Sequence, residues 1–190
     1  MQIVTDKVDS FSNGDLKKIY AYRKKIFVDQ LRWKLSVCDG EEVDQFDHST
    51  AVYIVAKDEN DEVIGFARLL PTNTPYLLEQ IFPYLANGQI LPRSPLIWEL
   101  SRFAVTGTPI PGRYSSSVAI ALLQEAFAFA SRNGIPQLIA VSYIGVERLL
   151  RQEGFFATRL NAPEKIDGAN VCAYWIERNE EHQVCDAGQS

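Results

Sequence analysis

Apolar and polar positions change their period repeatedly along the chain, and each change marks an element. Met1 to Val4 reads as a short edge strand. Leu16, Ile19, Tyr20, Ile26 and Phe27 fall at helical spacing and predict a helix over Leu16 to Phe27, with Asn13 or Asp15 as N-cap. Val28 to His48 has no clean period and is rich in carboxylates, so it is read as a long, mobile polar loop. Ala51 to Lys57 and Val63 to Leu70 are apolar runs around Asp58 to Asp61, the pattern of an antiparallel hairpin. Thr74 to Leu85 carries Leu77, Leu78, Ile81 and Leu85 at helical spacing. Pro92 and Pro95 then break the chain before an apolar strand, Leu96 to Val105.

A turn at Pro109 to Gly112 leads to the longest predicted helix, Ser115 to Asn133, which Gly134 stops. Gln137 to Tyr143 reads as a buried strand, Val146 to Glu153 as a short helix, and Phe155 to Arg159 and Val171 to Glu177 as further strands. The tail from Asn179 is polar. No repeat or linker divides the chain, so residues 1–190 are expected to form a single domain. The order of elements predicts one mixed α/β sheet with helices on both faces.

Composition narrows the function. The 190 residues are 46% hydrophobic with a formal net charge of −5, which fits a globular protein and argues against a nucleic-acid surface. No apolar run is long enough to span a membrane. Cys38, Cys172 and Cys185 share no metal-ligand spacing, and their odd number without a signal peptide points to the cytoplasm. The one basic cluster, Arg23, Lys24 and Lys25, is either a solvated helix face or a small patch for an acidic carrier protein.

Candidate chemistry lies in charges placed within apolar strands. Glu99 and Arg102 interrupt LIWELSRFAV, and Arg68 interrupts VIGFARLL. Buried charges are tolerated only with partners, so these residues form either structural ion pairs or the floor of a working site. In a regular strand, residues three apart face opposite ways. Glu99 and Arg102 can share a face only across a bulge near Leu100 or Ser101, a feature common beside active sites. The helix start near Ser115, Ser116 and Ser117 offers free N–H groups for a phosphate or pantetheine, or is simply capped by those serines.

The spaced set Arg23, Phe27, Trp33, Asp44, Asp47, Arg68, Glu99 and Arg102, with the segment WELSRF, resembles the signature of LuxI-type acyl-homoserine lactone synthases. The resemblance covers roughly Arg23 to Phe155, with all eight signature positions matched in order. It implies a GNAT-like fold in which a bulge splays the fourth strand from the fifth and leaves a V-shaped cleft. It also implies acyl transfer from an acyl carrier protein to the amine of S-adenosylmethionine, lactone closure and release of methylthioadenosine, with no metal or redox cofactor.

On this resemblance Glu99 is the candidate base, acting directly or through water, and Arg102 and Arg23 complete the catalytic set. Phe27, Trp33, Asp44, Asp47 and Arg68 are candidates to hold S-adenosylmethionine, Trp33 by a cation–π contact with the sulfonium. Arg23 and Arg102 instead fasten the loop to the sheet if they pair with Asp44 and Asp47. The backbone near Phe103 and Ala104 is the candidate donor to the thioester oxyanion, and Ser115, Ser116, Leu122, Ala140, Ser142, Tyr143, Leu149 and Leu150 are candidates for the acyl-pantetheine arm. In the family a threonine on the fifth strand accompanies 3-oxo chains. Its absence here favours an unsubstituted chain unless Ser142 supplies the hydroxyl. A GNAT-like acyltransferase using acyl-CoA and another amine has no need for the loop set Trp33, Asp44 and Asp47, and a noncatalytic acyl sensor has no need for buried charges.

Overall fold

A computed structural model describes residues 1–107 and 117–178. Strand β1 (Gln2–Lys7) leads to helix α1 (Asn13–Arg23), which runs on without a break as a π-helical segment, Lys24–Gln30. The N-cap is Ser12, one residue ahead of Asn13 and three ahead of Asp15; its Oγ accepts from the Asp15 N–H at 3.1 Å. The predicted loop is partly structured, because β2 (Val37–Cys38) and β3 (Glu41–Glu42) form a small antiparallel pair within it.

The hairpin β4 (Val52–Lys57) and β5 (Val63–Pro71) follows as expected. The helix expected over Thr74 to Leu85 is reduced to α2 (Leu77–Gln80) and a separate 3₁₀ turn, Pro83–Ala86. Pro83 has no N–H to continue the helical ladder, and it starts the new turn instead. Then come β6 (Ile97–Val105), α3 (Ser117–Arg132), β7 (Gln137–Tyr143), α4 (Gly145–Gln152), β8 (Phe155–Arg159), β9 (Glu164–Ile166) and β10 (Ala169–Arg178). Strand β9 is too short and polar to show an apolar period.

The strands lie in the order β1-β4-β5-β6-β7-β10-β8, with β9 on β10. All pairings are antiparallel except β6 with β7, which are joined by the crossover through α3. Alternation along the strands divides the core. Val52, Ile54, Ala67 and Leu69 face α3 and α4, whereas Tyr53, Val55, Phe66 and Leu70 face α1, its π-helical end and α2. No helix among the described residues is long and apolar enough to cross a membrane.

Gly65 fixes how closely α3 approaches the sheet. A Cβ there would lie 2.8 Å from Val118 Cγ1 and 2.9 Å from Leu122 Cδ1. Gly65→Val is therefore expected to lower the unfolding free energy by about 1–3 kcal/mol, read by urea denaturation.

The bulge required by parity is present, slightly beyond its expected place. Phe66 pairs with Ala104 and Arg68 with Ser101, so Ala67 faces both Arg102 and Phe103, and Arg102 takes φ 53°. Ser101 and Arg102 consequently turn to the same side of the sheet, the side of α1. Pairing of β6 with β7 ends at Leu100↔Ala140, and beyond it both strands line a cavity.

Candidate active site

Three arginines and three carboxylates meet on the α1 side of that bulge. Arg23 Nε donates to Glu42 at 2.7 Å, and its Nη1 to Asp47 at 2.8 Å. Arg68 Nη1 reaches Asp44 at 2.6 Å and Asp47 at 2.7 Å, while its Nε donates to Ser101 Oγ at 3.2 Å. Arg102 Nη2 lies 2.6 Å from Asp44 and 3.1 Å from Glu42. Tyr53 Oη donates to Asp47 at 2.6 Å, and the Asp44 N–H to the other Asp47 oxygen at 2.8 Å.

Formal charges within this cluster cancel, which is the condition for burying them. Burial alone would raise the Asp47 carboxyl, but Arg23 and Arg68 outweigh it and hold the group below the usual carboxylate range. Burial among other cations lowers the Arg102 guanidinium despite Asp44 and Glu42. The cluster joins α1, β5 and β6 to the segment carrying Glu42, Asp44 and Asp47, the clamp that was the second reading of these residues. Asp47, Arg23 and Arg68 lie behind the cavity wall, so the structure corrects the expectation that Asp47 and Arg68 touch S-adenosylmethionine. Glu42, whose part in the clamp was not foreseen, stood beside Glu41 in the acidic run with no signal to single it out.

The cavity measures about 790 Å³ and passes through the sheet where β6 and β7 separate. On the α1 side its wall includes Phe27, Trp33, Asp44, Ser101, Arg102 and Tyr143. Phe27 and Trp33 stack at 4.9 Å between centroids, the Arg102 guanidinium lies 5.5 Å from the Phe27 centroid, and Trp33 Nε1 donates to Tyr143 Oη at 2.9 Å. That last bond ties the loop to β7. Tyr143 thus lies in the aromatic half, a correction to its expected place against the acyl chain.

On the α3 and α4 side the wall is apolar, with Leu100, Phe103, Leu123, Ala140, Val146 and Leu150. Ser142 also lines the cavity. Leu122 and Leu149 do not. Leu122 packs under Gly65 and Leu149 inside the core, so the wall residues are their helix neighbours Leu123 and Leu150. The Ala104 side chain packs into the α1-side core, while its strand neighbour Phe103 lines the cavity. Ser115 and Ser116 lie outside the described residues. Among the described residues no His, Cys, Asp and Glu side chains cluster as metal ligands.

Glu99 does not line the cavity. Its two carboxylate oxygens accept the N–H groups of Leu77 at 2.9 Å and Leu78 at 2.7 Å, the first residues of α2. The carboxylate closes the open N-terminus of that helix, which in turn sets Leu77 and Ile81 into the cavity wall. Complete burial outweighs both amide bonds and raises the group to about 7. The structure therefore corrects the expectation of direct contact between Glu99 and the reacting amine: the carboxylate is held at the start of α2, away from the cavity wall.

The sequence profile described as Autoinducer synthase matches residues 7–185. The chain belongs to the autoinducer synthase family. It is similar to an acyl-homoserine-lactone synthase of Acinetobacter nosocomialis, 48% identical over 182 residues, covering 93% of this chain and all of that protein. Its structure is similar to TofI in a ternary complex with an inhibitor and MTA, at TM-score 0.82 and 39% identity, over 93% of this chain and 91% of TofI. It is also similar to BjaI, a CoA-dependent acyl-homoserine lactone synthase solved with SAM and isopentyl-CoA, at TM-score 0.84 and 27% identity, over 96% and 86% of the two chains. The expected GNAT-like fold is that of this acyltransferase family.

Proposed function

We propose that this autoinducer synthase makes an acyl-homoserine lactone from S-adenosylmethionine and an acylated carrier protein in the cytoplasm, with residues 1–190 acting as one domain. One observation carries the reading: a single cavity joins a charged, aromatic chamber to an apolar one through the gap between β6 and β7.

S-adenosylmethionine suits the first chamber. The stacked Phe27 and Trp33 take the sulfonium end, Asp44 faces the ammonium, and Arg102, whose Nε has no partner among the described residues, donates to the carboxylate. The acyl chain occupies the second chamber, which leaves the thioester in the gap, within reach of the amine. Once that amine has lost a proton it attacks the thioester carbonyl; the C–N bond forms and the carrier thiol leaves. The carboxylate oxygen then attacks the γ-carbon, and the C–S bond breaks to release methylthioadenosine.

The acidic carrier is favoured by Arg148 and Arg151, exposed on α4, whose opposite side supplies Val146 and Leu150 to the acyl chamber. Purified protein given S-adenosylmethionine and acyl carrier thioesters is expected to release methylthioadenosine and lactone in equal amounts. With acyl-CoA the kcat/KM is expected to be lower. A release of no methylthioadenosine across donors of every chain length would remove the reading.

A further inference from the structure

One residue lining the apolar half of the cavity carries a buried hydroxyl without a hydrogen-bond partner among the described residues. Tyr174 of β10 is buried and lines the cavity, and its Oη has no hydrogen-bond partner among the described residues. Buried hydroxyls are nearly always bonded. Cys172, two residues away on the same face, offers only a thiol, a weak partner. Burial holds the Tyr174 hydroxyl above its usual range, so it remains a neutral donor.

Its position suits a ligand atom near the reacting end of the chain. Tyr174 lies opposite Ala140, and Ala140 lies opposite Leu100, the last pair before β6 and β7 diverge. Ala140 has only a methyl group to place beside the phenol. Ser142, diagonal to Tyr174 across the pairing of β7 with β10, adds a second hydroxyl to the same wall.

We propose that the α3 and α4 half of the cavity takes an acyl chain bearing an oxygen close to its thioester carbonyl, as a hydroxyl or keto group, and that Tyr174 selects it by donating a hydrogen bond. The inference rests on the synthase reading above. An unsubstituted chain seals the phenol among methylenes with nothing to bond, whereas an oxygenated chain satisfies phenol and substituent together. It reverses the expectation that the missing threonine favours an unsubstituted chain.

Carrier thioesters of one chain length, unsubstituted, 3-hydroxy and 3-oxo, are compared for the wild type and Tyr174→Phe by methylthioadenosine release. The wild type is expected to favour at least one oxygenated donor by about tenfold in kcat/KM, and the variant to lose that preference. The hydroxy and oxo arms show which oxygen is read. Equal ratios in the two proteins overturn the assignment, as does a wild-type preference for the unsubstituted donor. Calorimetric binding of the three corresponding lactones separates the two readings: no turnover but a Tyr174-dependent binding preference ends the synthase reading alone, and no binding preference ends the assignment of Tyr174. Thermal unfolding of ligand-free Tyr174→Phe is expected at or above the wild-type midpoint.

Discussion

Replacing Arg23 with alanine is expected to lower the unfolding free energy by about 3–5 kcal/mol and to abolish methylthioadenosine release. Arg23 is fully buried between Glu42 and Asp47, with its guanidinium 5.6 Å from the Tyr20 ring centroid and 5.5 Å from that of Phe66. Its removal leaves a cluster of two cations and three carboxylates in the interior. Desolvation of the unpaired carboxylate dominates this cost, because the Coulomb gain in the intact cluster only offsets the burial of its charges. Chemical denaturation gives the stability, and an Asp47→Asn cycle tests the cause. If the excess charge is responsible, the double variant is less destabilised than the sum of the singles. Asp47 adds a pH signature. Its folded value is depressed, so its stabilisation is present above the ordinary carboxylate range and is lost as pH falls through the folded value. Without Arg23 that value rises, and acid unfolding is expected to begin at higher pH than in the wild type. Parallel acid profiles would count against the clamp.

The clamp also shows how far the residues alone carry the argument. Arg68, Glu99 and Arg102 are legible because a charge inside an apolar run must be paired, and parity requires a bulge if Glu99 and Arg102 are to share a face. Partner identity was less legible. Asp44 and Asp47 came from the family resemblance, and Glu42 was hidden because loop carboxylates obey no period. The apolar half was legible only to within a residue on each helix: Leu122 and Leu123 are both apolar, and which one meets the cavity depends on the rotation of α3, set by contacts at Gly65. The position of Tyr174 was invisible for a related reason, since an apolar strand does not reveal which of its side chains borders empty space.

Glu99 offers the second large effect, and two substitutions divide its possible roles. Glu99→Ala leaves the Leu77 and Leu78 N–H groups buried without acceptors, so α2 loses its anchor and Leu77 and Ile81 leave their places in the wall. Turnover is expected to fall by about 100-fold or more, the order seen when a positioned group shifts by an ångström. Glu99→Gln keeps one acceptor and the side-chain volume, and is expected to retain at least about a tenth of wild-type turnover. A general base would make both variants equally inactive. Stability supplies an independent readout. The folded value of Glu99, about 7, lies above its ordinary 4.5. A raised carboxyl penalises folding as it ionises: the penalty is absent below 4.5, grows as pH rises toward 7 and is complete above it, reaching about 3 kcal/mol. Glutamine cannot ionise, so the unfolding free energy of the wild type should decline by about that amount relative to Glu99→Gln across this window. Profiles that stay parallel from pH 4.5 to 8 would show that desolvation of Glu99 does not outweigh its two amide bonds.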